Sequence, residues 1–268
     1  MSLIIKAAEM LPFVKAMILK LRNRLQCSGN VCLLENIHCQ GNRITLKGTQ
    51  TELRCDPSAV LRDSTVYLEG NLNSMMTGEG TSLYGEGANT AYICGNDNRI
   101  IIGNHCTLRK VSFFIRGSGN TIVIGDHCSA YNTQFHIEQN GNEIVVGVGT
   151  TFHGRDEQAI HMAADEGSRI QIGKDCMLAH STQIRSTDSH SIVDLNGKRL
   201  NPARDVVIGD HCWIGLQCII LKGTEIPSHC VAAAGAVCSK KYTQSNRVIA
   251  GNPARVVKHE IDWDRKFV

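Results

Sequence analysis

Aliphatic residues recur along this chain in a six-residue pattern. Each unit reads as an aliphatic residue, a small residue (often Gly), two variable positions, a second small residue and one more variable position. The unit appears as Ile102-Gly-Asn-His-Cys-Thr, Ile124-Gly-Asp-His-Cys-Ser, Val146-Gly-Val-Gly-Thr-Thr and Ile172-Gly-Lys-Asp-Cys-Met. From Ile208 it runs unbroken through the units beginning at Ile214, Ile220 and Ile226. Internal repetition of this kind sets the architecture before any single element is assigned. Ile208 to Ile226 is 18 residues, three units, or one coil of a triangular prism with short parallel strands as faces. The earlier steps, Ile102 to Ile124, to Val146, to Ile172 and to Ile208, measure 22, 22, 26 and 36 residues. They read as the same coil with loops extruded at a corner. Asn98, Asn120 and Asn142 follow Gly-containing turns at intervals of 22, and weaker echoes near Gly41 and Val66 start the prism near residue 30. The first residue of each unit fills the core, and the fifth points inward where only a small side chain fits. An α/β fold is excluded because no amphipathic helices separate the strands.

The segment Ser2 to Gln26 has helical apolar spacing, at Leu3, Ile4, Ala7, Met10, Leu11, Val14, Ile18, Leu21 and Leu25, with basic residues that face only Glu9. It is read as an amphipathic helix over 1–26, kinked at Pro12. Lys15 interrupts any run long enough to cross a bilayer, and no signal-peptide pattern is present. Such a helix either caps the open end of the prism or lies on a membrane surface. The prism itself is placed over 27–258, with a tail over 259–268. A net charge of +3 without a Lys/Arg run interleaved with aromatics argues against nucleic acid. Six of the twelve cysteines, Cys106, Cys128, Cys176, Cys212, Cys218 and Cys230, occupy the inward fifth position. This is how buried free thiols behave, and it implies a reducing, cytoplasmic compartment.

Four segments narrow the reading further: Ile184-Arg-Ser-Thr-Asp-Ser-His-Ser-Ile, Val207-Ile-Gly-Asp-His-Cys-Trp-Ile-Gly, Ala234-Gly-Ala and Ile249-Ala-Gly-Asn-Pro-Ala-Arg. Through them Ile172 to Lys258 resembles the bacterial hexapeptide-repeat O-acetyltransferases of the galactoside, maltose and xenobiotic type and their polysaccharide-modifying relatives. The resemblance implies an all-β, left-handed parallel β-helix, a homotrimer, and acetyl-CoA in a groove between subunits, with no metal. The acceptor it implies is a hydroxyl of a sugar in a surface polysaccharide or its precursor. The roughly 140 residues before the match are longer than in the smaller sugar acetyltransferases, so acceptor contacts there do not transfer.

His190 lies in the 18-residue insertion between Ile172 and Ile208, and long loops in compact repeats are commonly functional. An unperturbed imidazole titrates near neutrality and can take a proton from a hydroxyl, which makes His190 the candidate general base. Asp188 could orient its ring, with Asp194 as competitor, and His180 could border the same cleft. Trp213 fills an outward sixth position, as an interface or ligand-wall residue, and by the family match lies at the acetyl-CoA cleft. There Gly215, Leu216, Ala234 and Gly235 would offer backbone groups to the pantetheine arm of acetyl-CoA. By the same match Ser239, Lys240, Arg255 and Lys258 fall at its nucleotide end. His105, His127, His211 and His229 recur at the fourth position and read as a surface ladder. A metal hydrase on the same fold needs two histidines five positions apart, a spacing absent here. A non-catalytic scaffold or sugar-binding module is the other class.

Overall fold

The structure is a computed structural model describing residues 23–27, 30–34 and 38–266. The described chain winds through three long sheets in turn, each visited once per coil, to give sheets of 10, 9 and 10 strands. Among the described residues the strands of these sheets pair in parallel except the last two, Arg247–Ala250 and Arg255–His259. The expected parallel β-helix is therefore the observed fold, and its core is a single column of side chains. Ile100, Ile122, Ile144 and Ile170 pair in register down the second sheet, and each is fully buried. Removing one such side chain from water contributes about 1.5–3 kcal/mol.

The corners explain the rest of the six-residue pattern. The fourth position has positive φ in every unit: His105 at 53°, His127 at 57°, Gly149 at 72°, Asp175 at 51°, His211 at 50°, Gln217 at 56°, Gly223 at 75° and His229 at 60°. Left-handed backbone favours Gly and, among other residues, Asn, Asp and His. Histidine here is a corner residue first. The rings then stack from coil to coil, His105 on His127 at 5.2 Å and His211 beside His229 at 5.1 Å, which bears out the ladder. At the fifth position a buried donor bonds to the next coil. Thr81 and Thr150 donate to the carbonyls of Gly103 and Gly173. Cys106, Cys128 and Cys176 donate from sulfur to those of Gly125, Gly147 and Gly209 at 3.1–3.2 Å. The position selects a small donor, and all six repeat cysteines are free and buried.

Between the first and second sheets a different ladder holds the coils. The amide of Asn98 donates to Asn73, that of Asn120 to Asn98 and that of Asn142 to Asn120, at 3.0–3.1 Å, and all four residues are buried. Each Oδ1 also takes the next asparagine's backbone N–H, so one side chain fixes both register and turn. The turn itself needs glycine: at Gly117, with φ 132°, a Cβ would lie 1.8 Å from the Gln139 carbonyl. The four extra residues of the 22-residue coils are not simply an extruded loop. They divide between this turn and longer first-sheet strands such as Ser112–Arg116, against two-residue strands such as Ile219–Ile220 later on.

The ends differ from expectation. Arg24–Gln26, read as the end of a helix, form a strand paired with Arg43, Ile44 and Thr45, and Leu25 packs against the core. Residues 1–22 of that expected helix lie outside the described residues. No helix among the described residues is long and apolar enough to cross a membrane. Strand pairing of the prism is thus present at Arg24–Gln26, within the range read as a helix. At the other end the tail folds back over the third sheet. Trp263 stacks on His211 at 4.5 Å, donates from its indole N–H to the His211 carbonyl, and Arg265 pairs with Asp175 at 3.0 Å.

The asparagine ladder predicts a measurable dependence. Asn120→Ala leaves the backbone N–H of Asn142 and the carbonyl of Gln139 without their partners. The orphaned N–H is buried and costs about 1–3 kcal/mol, and the part-buried carbonyl adds less. Urea unfolding of the variant is expected to show that loss; an unchanged midpoint would remove the ladder from the account.

Candidate active site

The first-sheet strand Gln183–Arg185 ends at Ser186, and the chain does not return to the prism until Val206–Ile208 in the second sheet. The excursion is a fastened arm. Its outer part is a hairpin in which Val193 faces Arg199, and Asp194 accepts from the backbone N–H groups of Asn196 and Lys198 at 2.9 Å. Asp194 is therefore a turn residue and does not compete for the histidine. The root of the arm is tied by Asn201, whose amide donates to Asp188 Oδ2 and to the His190 carbonyl, each at 2.8 Å. Asn201 Oδ1 takes the Ile192 N–H at 2.6 Å. Lys222, from the next coil, ion-pairs with Asp188 and donates to the Asn201 carbonyl at 3.0 Å. Arg199 pairs with Glu166 at 2.5 Å across the preceding coil.

These contacts decide what Asp188 does. Its hydrogen bond from Lys222, then that from Asn201, holds its carboxyl below the usual range, so it is a fixed anion. Among the described residues no hydrogen bond joins it to the His190 ring. Lys222 and Asn201 take Oδ2, and Asn201 joins Asp188 to the His190 carbonyl at the root of the arm. Lys222 and Asn201 were missed in the sequence. Lys222 occupies a variable position three residues past Ile219, where only the stacking of coils brings it beneath the arm.

His190 is exposed and borders a cleft of about 350 Å³, whose lining includes His136, His161, Ala163, Arg185 and Ser189. Burial, then the charges of Arg185 and His136, push the His161 imidazole down to about 4. His161 is thus neutral at physiological pH and serves as a hydrogen-bonding wall. His180 does not line this cleft. It lies at the turn that leads into Gln183–Arg185, with a buried Nδ1 that has no hydrogen-bond partner.

The candidate cofactor residues mostly gather elsewhere. Trp213, 39% exposed, stands on the third sheet, and Gly215 and Leu216 form the corner that leads from it to the first sheet. Ala234 and Gly235 occupy the same corner one coil on, with the Gly235 N–H donating to the Leu216 carbonyl at 2.8 Å. Arg255 and Lys258 are exposed on the terminal antiparallel strand. Ser239 and Lys240 follow the last first-sheet strand, Val237–Cys238, on the side of the prism that carries the arm. Within one chain, Trp213, Gly215 and Leu216 therefore lie on a different corner from His190. The tail adds Trp263 beside Trp213 at 6.1 Å, a neighbour that the repeat pattern does not reveal. His211, His229 and Asp262 bring ligating atoms within 4.8 Å of one another, the one such group among the described residues. Both His211 nitrogens already bond, to Asp175 and to the Trp263 carbonyl, so the group latches the tail.

Comparison with known proteins places this geometry. No family model matches the chain. The polysialic acid O-acetyltransferase of Neisseria meningitidis is 37% identical over 203 residues, 75% of this chain and 91% of that protein. A polysialic acid O-acetyltransferase of Escherichia coli is 34% identical over 36% of this chain and 31% of that protein. Among solved structures, the polysialic acid O-acetyltransferase OatWY superposes with a TM-score of 0.62 at 29% identity, over 89% of this chain and 92% of that one. The acetyltransferase NeuO gives 0.61 at 27% identity, over 76% and 83%. Identity of 37% over 91% of the Neisseria protein, together with the same coil, shows that this chain is an acyltransferase belonging to the bacterial hexapeptide-repeat O-acetyltransferase family.

Proposed function

We propose that the protein transfers acetyl from acetyl-CoA to a hydroxyl of a sugar in a bacterial surface polysaccharide, with His190 as general base. It does so as a homotrimer of left-handed β-helices in the cytoplasm. The observation that carries the reading is the fastened arm, which holds His190 over an open, polar cleft. A sugar hydroxyl is a poor nucleophile at neutral pH, and the donor supplies an activated thioester. What the protein must add is removal of the proton as the hydroxyl oxygen attacks, and an imidazole at the cleft's rim can take it. The relatives acetylate polysialic acid, which makes a polymer of carboxylated sugars the favoured acceptor class.

A second observation supports the oligomer. The arm exposes Ile192, Val193 and Leu200 at 57%, 53% and 57%, and Leu195 at 107%. An apolar hairpin held outward on a polar root fits a surface made to pack against another copy. A neighbour's corner at Gly215 and Leu216, brought against the arm, would set the pantetheine arm beside His190. Arg255, Lys258, Ser239 and Lys240 would meet the phosphates at the nucleotide end. Free buried thiols support a cytoplasmic location.

Two measurements follow. His190→Ala is expected to lower turnover by about 10²- to 10⁴-fold while acetyl-CoA binding persists. Asp188→Asn should do less damage, since it loosens the arm without removing the base; near-normal turnover in His190→Ala would refute the assignment. Sedimentation of the wild type should give three copies of the 29.3 kDa chain. Leu195→Glu should shift it toward monomer with loss of activity, whereas a stable active monomer would contradict the shared site.

A further inference from the structure

The outer face of the first sheet carries a ladder of rings that ends at the wall of the His190 cleft. Tyr67, Tyr92, Phe114 and His136 pair in register on successive strands. Their ring centroids are 5.4, 5.2 and 4.5 Å apart, with planes within 14° of parallel. The next residue in register is Ala163, and the one after that is Arg185. Ala163 alternates with Met162 and Ala164 of the core cluster, so it stands in this row; it is only 5% exposed, at the floor of the cleft that His190 borders. A methyl group therefore stands where a ring would continue the stack. His136 and Arg185 are two strand spacings apart, about 9.5 Å. That is the room one additional ring needs at the ladder's own spacing.

Three features give this gap a chemical character. Among the described residues Arg185 has no carboxylate partner; its guanidinium bonds only to Ser189 Oγ, at 2.9 Å. The nearby carboxylates are engaged: Glu138 with His136 at 3.3 Å and Arg116 at 3.9 Å, and Asp165 with the Glu166 N–H at 2.8 Å. His161, on the flank of the gap, has a buried Nδ1 without a hydrogen-bond partner. A hydroxyl-bearing ring with one negative charge satisfies all three. The outer face of His136 offers a stacking surface, Arg185 a planar fork for a carboxylate, and His161 a hydrogen-bonding group.

We propose that the acceptor is an acidic sugar whose ring fills the gap over Ala163, between His136 and Arg185, with its reacting hydroxyl turned to His190. This rests on the sugar O-acetyltransferase reading and deepens it: Arg185 selects the charge of the acceptor, and the ladder's missing step selects its shape.

The test is steady-state kinetics of the full-length protein with a sialic acid oligomer and with neutral maltoheptaose as acceptors. Arg185→Ala should raise the KM for the sialic acid oligomer by about 10- to 150-fold, with the KM for acetyl-CoA unchanged. Arg185→Lys should recover part of the loss. Ala163→Leu, which fills the gap, should raise the same KM without altering acetyl-CoA affinity. If His190→Ala abolishes transfer while both Arg185→Ala and Ala163→Leu keep the wild-type acceptor KM, the general function stands and this subsite is wrong. If the wild type acetylates maltoheptaose as readily as the acidic oligomer, charge selection by Arg185 is overturned. If Ala163→Leu instead dissociates the oligomer in sedimentation, the gap is filled by a second copy of the chain and not by a sugar. Acetylation of neither acceptor by the wild type would reject the sugar O-acetyltransferase reading itself.

Discussion

The structure depends on a constraint met once per coil at each corner: a backbone that turns through about a third of a circle must still satisfy its buried N–H and C=O groups. Between the first and second sheets the solution is the stack Asn73, Asn98, Asn120 and Asn142, whose amides bond to one another and to the turn carbonyls. Between the second and third sheets it is the small donor, Thr or Cys, at the fifth position. Each coil contacts only its neighbours, so a register error at one corner would propagate along the solenoid. The side-chain ladders prevent that.

The active-site arm leaves where the asparagine ladder runs out. Asn142 accepts the Ser168 N–H at 3.1 Å, and Ser168 Oγ then donates to Ser186 Oγ at 2.6 Å. Ser186 and Thr187 are the last buried residues before the chain departs at Asp188. With no asparagine to tie the corner, the chain is free to extrude, and the lost contacts are replaced by Glu166, Asn201 and Lys222 at the arm's root. Stability and function are thus adjacent at one corner: the ladder ends, and the segment that carries His190 begins.

Much of this was legible in the sequence because six-residue spacing reports the prism directly. The inward cysteines, the fourth-position histidines and the position of His190 on the long insertion all follow from counting. What counting could not reach were contacts between coils. Asn98, Asn120 and Asn142 stood out by their spacing, but a hydrogen-bonded stack is invisible until residues 22 apart are superposed. Lys222 lies 34 positions from Asp188, and Trp263 lies 52 from His211. The gap at Ala163 is defined by what its neighbours in register are, so no local pattern marks it. The helix expected at the start failed at Arg24–Gln26 because apolar spacing there is overridden by pairing with Arg43–Lys47 and by a place for Leu25 on the core.

The central claim is that His190 and the donor-binding corner meet only between copies, since one chain places His190 and Trp213 on different corners. Mixed trimers test this most directly. His190→Ala and Trp213→Ala chains, each inactive alone, are co-expressed with different tags, and the mixed species is purified through both tags. Its acetyl transfer is then measured against the two homogeneous trimers. The account predicts that activity reappears in the mixed trimer, because an intact His190 from one copy faces an intact Trp213 from its neighbour. Mixed trimers as inactive as their parents would contradict it and place both residues in one chain's own site.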